Sequence, residues 1–234
     1  MKKLPAQRGR VAVIGAGPGG MAAALSVHQA GHDVVLFERY PHARPAGNIL
    51  NLWPPPIKAL RLLGVNTGPL PQLIAATDPA HVQRWVIRDR KPLKQWPKGR
   101  ATLVGDAAHP TSPYAGYGAG MATEDGYFIG RRLAGVDLSD YAAVRQALDA
   151  FETPRKPHTA RQSQHAYALG QVFHHAPRAL QPIRDAILDR TPLMQKVVGD
   201  STPISILTQL GEIDRAEAHF TALLGLGGTH DTAS

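Results

Sequence analysis

The chain has 234 residues and no cysteine, so it is long enough to bury a sizeable core without staples and has no disulfide scaffold, thiolate nucleophile or Cys-ligated metal. Its net charge of +8 is uneven: residues 1–100 hold 15 Lys/Arg against 4 Asp/Glu, and residues 101–234 hold 11 against 14. A basic half suits phosphates, including those of a dinucleotide, as well as solvated surface. The opening Met1 to Arg10 runs straight into a glycine-rich turn with no signal core, so a soluble cytoplasmic protein is expected. Val11 to Val27 is apolar but holds four glycines and a proline, which argues against a membrane span.

Val11-Ala12-Val13-Ile14 reads as a buried parallel strand that stops at Gly15. Gly15-Ala16-Gly17-Pro18-Gly19-Gly20 then leads into the alanine-rich stretch Met21 to Ala30, a helix ended by Gly31. Asp33 to Phe37 is the next strand and closes on Glu38-Arg39, completing a βαβ unit. Ile57 to Leu63 looks helical, His81 to Arg88 alternates like a strand, and Ala101 to Val104 reads as another. From residue 118 the spacing turns helical through Met121, Phe128, Ile129 and Leu133. It resumes at Tyr141, Val144, Leu148 and Phe151 behind a cap at Ser139. Beyond Pro157 helices alternate with proline breaks at 177, 182, 192 and 203, and residues 225–234 read as a flexible tail.

Gly15, Gly17 and Gly20 stand in G-x-G-x-x-G spacing between a strand and a helix, the context that lifts the motif above a chance match. Gly15 permits the tight turn, Gly17 admits a pyrophosphate to the backbone, and Gly20 lets the helix pack on the strand. Pro18 and Gly19 complete the turn, and Glu38, 18 residues after Gly20, stands where a carboxylate accepts bonds from ribose hydroxyls, with Arg39 beside it. This motif alone leaves NAD or FAD open. The basic run Arg84, Arg88, Arg90, Lys91, Lys94, Lys98 and Arg100, with Trp85 and Trp96 between, reads as a hairpin with a solvated basic face rather than a nucleic-acid surface. The 11 histidines form no metal-ligand spacing and no hydrolase G-x-S-x-G elbow is present, so neither a metal nor hydrolysis is expected.

The stretch Gly99 to Gly126 contains Gly105-Asp106-Ala107-Ala108-His109-Pro110 and the loop Pro113-Tyr114-Ala115-Gly116-Tyr117-Gly118-Ala119-Gly120. With residues 11–39 it resembles the FAD-dependent aromatic-ring hydroxylases, single-component flavoprotein monooxygenases of the para-hydroxybenzoate hydroxylase type. The resemblance implies an α/β, Rossmann-like FAD-binding domain of glutathione-reductase type with a helical C-terminal region. It implies that Gly105 and Asp106 meet the ribitol chain, that Pro113 lies near the isoalloxazine, and that Gly116, Gly118, Ala119, Gly120 and Met121 border it through backbone. Tyr117 and Gly120 stand where the family often has Gln and Asn. Family members carry a substrate domain that this chain lacks, with an apparent internal shortening near residues 70–80. The expected division is 1–135 for the FAD-binding domain, 136–224 for the helical region and 225–234 for the tail. The implied activity is FAD-dependent oxidoreduction with NAD(P)H as reductant and a small-molecule substrate. The sheet edge and apolar surface left by the shortening lead to an expected homodimer, with exchange of elements as one form of it. The alternatives are an FAD-binding module without turnover that needs a partner chain, or a small NAD(P)-binding reductase.

Overall fold

The computed structural model describes residues 9–41, 58–59, 61–64, 90–192, 196 and 201–225. The predicted strand at 81–88, the shortening near 70–80 and residues 226–234 lie outside them. The first βαβ unit forms as read: β1 (Arg10–Ile14), α1 (Pro18–Gln29) and β2 (Asp33–Phe37). The strands pair in parallel, Arg10 opposite Asp33 and Ile14 opposite Phe37, and Gly15 N donates to Phe37 O at 2.7 Å to close the register at the turn. Gly31, at φ 93°, ends the connection from α1 in the left-handed region. Where the chain is described at 58–59 and 61–62 it is helical, and Ala59 and Leu63 are buried in the core.

The second half is helical: α2 (Gly118–Leu133), α3 (Tyr141–His174), α4 (Gln181–Arg190) and α5 (Ser201–Leu223). Ala101 to Val104 is not a sheet strand. It is extended, but its backbone makes one antiparallel bridge, Lys98 to Ala101, around Gly99 at φ 60°. Its Thr102 Oγ1 donates to Glu152 of α3 at 2.8 Å, and the Gly105 N that follows donates to Asp125 of α2 at 2.9 Å. The cap of α3 is Asp140, whose carboxylate accepts from Ala142 N and Ala143 N, whereas the Ser139 hydroxyl is turned back onto Asp137.

Of the expected proline breaks, Pro177 falls between helices, whereas other prolines lie within them. Pro154 and Pro157 lie inside α3, which continues through both, and Pro182 starts α4 rather than breaking a helix. An internal proline removes a backbone bond and costs about 3 kcal/mol in an isolated helix. Here the segment carries Phe151, Glu152, Arg155 and Thr159, all buried, and the Thr159 hydroxyl donates back to Arg155 O at 3.0 Å. Val144, Ala147, Leu148 and Phe151 of α3 and Ile213 of α5 share one core with Ala22, Ala23 and Val27 of α1 and Tyr127, Phe128, Ile129 and Leu133 of α2.

The packing that organises the molecule is the contact between α1 and α2. Small residues on α1 (Gly19, Ala22, Ala23, Ser26) meet small residues on α2 (Ala122, Gly126, Gly130). A Cβ built on Gly126 would lie 2.4 Å from Ala23 N, and one on Gly130 2.1 Å from Ser26 Oγ, so the two backbones are in direct contact. The order of the contacts makes the helices parallel: Gly19 lies beside Ala122 and, at the far end, Arg131 donates to Gln29 at 3.1 Å and His32 Nε2 bonds Leu133 O at 2.7 Å.

Candidate functional site

Because α1 and α2 run parallel, their N-termini lie side by side. Each carries about half a positive charge of helix dipole; neither N-cap residue's side chain bonds the helix amides, and neither first turn holds an acid. The N-cap of α1 is Gly17 and that of α2 is Tyr117, followed by Gly118. A Cβ added at Gly17 or at Gly118 would meet nothing within 4 Å, so both glycines border open space. Gly20 is the opposite case. Its Cβ would fall 1.8 Å from Gly15 O, so this position admits only glycine if the turn is to close on α1.

The segment Gly105 to His109 joins the same end. Gly105 takes φ 58°, its Cβ would lie 2.9 Å from Ala122 Cβ, and Gly19 abuts the same alanine. Ala122 is therefore where the glycine turn, the Gly-Asp turn and α2 converge. Asp106 is exposed in the 3₁₀ turn Gly105–Ala107. The Pro113–Ala115 turn ends on Gly116 at φ 60°, and Gly170 of α3 lies against the Tyr114 ring.

At the end of β2, Glu38 accepts from Ala16 N at 2.7 Å and from Tyr40 N at 3.0 Å. These two amides hold its carboxyl below the usual carboxylate range. The glycine turn and the acid 18 residues beyond it are thus joined by a hydrogen bond. Arg39 lies over the Tyr40 ring at 4.7 Å and donates to its hydroxyl.

Residues 71–166 match the family model described as FAD binding domain, and residues 9–85 match the one described as pyridine nucleotide-disulphide oxidoreductase. The chain is similar to the FAD-dependent aromatic-ring hydroxylases, with each family model matching less than half of it. Among its curated relatives, 3-hydroxybenzoate 6-hydroxylase of Polaromonas naphthalenivorans is 40% identical over 92 residues, which is 39% of this chain and 22% of the relative. The enzyme of the same name from Klebsiella oxytoca is 42% identical over 98 residues, 42% of this chain and 24% of that one. Salicylate hydroxylase of Pseudomonas putida is 35% identical over 89 residues, 38% of this chain and 20% of the relative. The matched stretches thus span a quarter or less of these hydroxylases' own length. Among solved structures, Klebsiella pneumoniae HpxO complexed with FAD and uric acid shares the fold, with TM-score 0.67 at 14% identity over 85% of this chain and 97% of that one.

Within this fold, Gly15, Gly17, Pro18, Gly19, Gly20 and Glu38 gather around one turn, and Gly105, Asp106, Gly118, Ala119 and Gly120 gather around the adjacent helix start. Met121 does not face that end. Its side chain is fully buried, and its amide is committed to Tyr117 O at 2.9 Å. The basic run is also resolved in part. Trp96 is buried, packed on His109 and Phe151. Arg100 donates to Leu138 O and Ser139 O and stacks on Tyr141, while Arg90 donates to Ala107 O. These two arginines clamp loops, while Lys91, Lys94 and Lys98 of the same run are exposed.

What sequence reasoning missed is the charged core beneath the site. Arg155 of α3 donates through Nε to Asp125 Oδ1 at 2.8 Å and through Nη1 to Glu124 Oε2 at 2.9 Å and Gln209 Oε1 at 2.8 Å. All four residues are buried. Asp125 Oδ2 also accepts from Gly105 N and from His109 Nε2 at 2.6 Å. The Tyr117 hydroxyl donates to Glu124. Burial pushes the Asp125 carboxyl up, but Arg155, His109 and the Gly105 amide together hold it below its ordinary range. Burial wins at Glu124, which is raised despite Arg155 and the Tyr117 hydroxyl. His158, edge-on to Tyr117 at 6.0 Å, is pushed down to about 3 by burial and then by Arg155. The signal in the sequence was the adjacent pair Glu124-Asp125 among the mostly small and apolar residues of 118–130; its partner 30 residues away had no local mark.

Proposed function

We propose that this chain binds FAD and uses it, with NAD(P)H as reductant, for oxidoreduction of the aromatic-hydroxylating kind. The observation that carries the reading is the pair of parallel, uncapped helix N-termini opening on space at Gly17 and Gly118. Two co-directed positive dipole ends held in contact repel one another, and an anionic ligand laid across them relieves that repulsion. A dinucleotide supplies an anion for each: a diphosphate at the α1 amides and, at the α2 amides, the ring edge that becomes negative on reduction.

On this reading Gly15, Gly17, Pro18 and Gly20 hold the diphosphate, Glu38 accepts from the adenosine ribose, and Arg39 flanks it. Gly105 and Asp106 hold the ribityl chain. Pro113 and the backbone of Gly116, Gly118, Ala119 and Gly120 border the ring. Bound FAD supplies the two-electron centre between reduced nicotinamide and dioxygen. The chain's own contribution is electrostatic and positional: the α2 amides stabilise charge on the ring edge, and the Asp106 carboxylate orients the chain that carries the ring. The cation-rich first half also suits a phosphate of the reductant. The names of the relatives support a small aromatic acid as substrate.

A binding module without hydroxylation is the second reading, favoured by the exposed sheet face: Ile14 is 87% and Phe37 55% exposed as register neighbours. A homodimer covering such a face belongs to the same reading. Among the described residues no helix is long and apolar enough to cross a membrane, which agrees with a cytoplasmic location. The test is reconstitution with FAD followed by NADH and NADPH oxidation with and without aromatic acids. Flavin absorbance retained through gel filtration and oxygen recovered in the product support the first reading. Peroxide as the sole product supports the module, and a protein that takes up no FAD ends both. Light scattering that shows a monomer at high concentration removes the dimer.

A further inference from the structure

We propose that Asp125 and Arg155 act as positioning residues for the cofactor site, stapling the Gly105–His109 turn so that the Asp106 carboxylate is presented in one fixed orientation. The inference rests on the reading that the site takes FAD and adds residues outside the fingerprints that act through Asp106 rather than on the ligand.

The geometry is a clamp on both ends of a five-residue turn. One oxygen of Asp125 accepts from the amide of Gly105 at 2.9 Å and from the ring of His109 at 2.6 Å. The turn is closed from within by Ala108 N and His109 N on Gly105 O, at 2.8 and 2.9 Å. Asp106 lies between these anchors and is exposed. Gly105 at φ 58° can rotate freely unless something restrains it, and Asp125 is the side chain that does so.

The other oxygen of Asp125 is held by Arg155, which also reaches Gln209 on α5 and the carbonyl of Met121 in the first turn of α2, at 2.8 and 3.2 Å. The guanidinium therefore references the turn and the N-terminus of α2 to the same point. A fully buried ion pair is weak evidence for stability, because desolvation offsets most of its attraction. Its usefulness here is directional: a planar fork and a two-oxygen acceptor fix orientation where an apolar pair of equal volume would only fill space.

The test is a double-mutant cycle on FAD affinity and on the visible circular dichroism of the bound flavin, in the full chain. Asp125→Asn is made in the parent and in an Asp106→Ala background, with Arg155→Lys as a second probe and Val144→Ala as a control destabilised far from the turn. Asp125→Asn and Arg155→Lys should each weaken FAD by about tenfold in the parent but by less than about threefold once Asp106 is gone. Both should change the flavin dichroism, while Val144→Ala changes the melting temperature alone. Equal losses in both backgrounds, or an effect matched by Val144→Ala, would overturn the positioning role. Should Asp125→Asn fail to fold, the Arg155→Lys arm decides by the same criteria. Failure of the parent to bind FAD would instead reject the underlying reading, so the two failures are distinguishable.

Discussion

Gly126→Ala isolates the contact on which the site depends. Alanine is the better helix former by about 1 kcal/mol, so in an exposed helix this change stabilises. In α2 the added methyl would lie 2.4 Å from Ala23 N, 2.6 Å from Gly19 O and 2.7 Å from Ala22 Cβ. Two of these three neighbours are backbone atoms that cannot rotate away. Restoring ordinary contact requires α1 to withdraw by about 1 Å, which also stretches the bond from Ser26 Oγ to Tyr127 O, 2.8 Å long. Overpacking of this kind costs roughly 1–3 kcal/mol and the strained buried bond adds about 1 kcal/mol. After the propensity gain, a net loss of about 2 kcal/mol remains, or about 4–8 °C in melting temperature for a chain of this size. Gly211→Ala is the internal control, because its Cβ would meet only Arg215 Nη1 at 3.6 Å in α5; it should gain about 0.5–1 kcal/mol. Melts followed by far-ultraviolet circular dichroism give both values. If the two substitutions shift the midpoint in the same direction, the direct backbone contact between α1 and α2 is wrong.

Gly17→Ala should leave stability within about 0.5 kcal/mol, since Gly17 has φ −69° and open space around it. It should nevertheless weaken FAD by at least about tenfold by placing a methyl where the diphosphate approaches; tight FAD binding by this variant, measured by calorimetry, would move the ligand elsewhere. Arg155→Met should cost about 3–5 kcal/mol by stranding Asp125 and Glu124 without their counter-charge, and a denaturation midpoint near that of the parent would show the pair to be dispensable. His158 is held neutral with its pKa pushed down to about 3, so between about pH 6.5 and 3 the unfolded chain binds a proton that the folded chain does not. Stability from this group is therefore complete above about pH 6.5 and falls on acidification by up to about 1.4 kcal/mol per pH unit. His158→Gln should flatten that slope in urea melts taken from pH 7 to 5; an unchanged slope would show His158 to be solvated.

The first βαβ unit and its glycine turn were readable because their constraints are local. A β-branched run, a turn that admits no Cβ at Gly20 and an alanine-rich helix each act within a few residues. The acid at Glu38 follows from the length of the unit. The Gly-Asp motif was readable as a pattern, but its extended lead-in was misjudged as a sheet strand. Thr102 and Gly105 find their partners on α3 and α2, 50 and 20 residues away, and no local propensity reports that. The same holds for α3. Pro154 and Pro157 would each interrupt an isolated helix, yet α3 runs through both with Phe151, Arg155 and Thr159 buried.

Sequence by itself determined which residues could border a dinucleotide, because backbone geometry at glycine and the charge of one acid are properties of single positions. Tertiary structure decided what those residues face and what holds them. Only the packing of α1 on α2 brings both positive N-termini to one end, and only the fold carries Arg155 to Asp125. The physical reason is range: a turn is closed by neighbours in the chain, whereas a dipole pair and a buried ion pair exist only once distant helices have expelled the water between them.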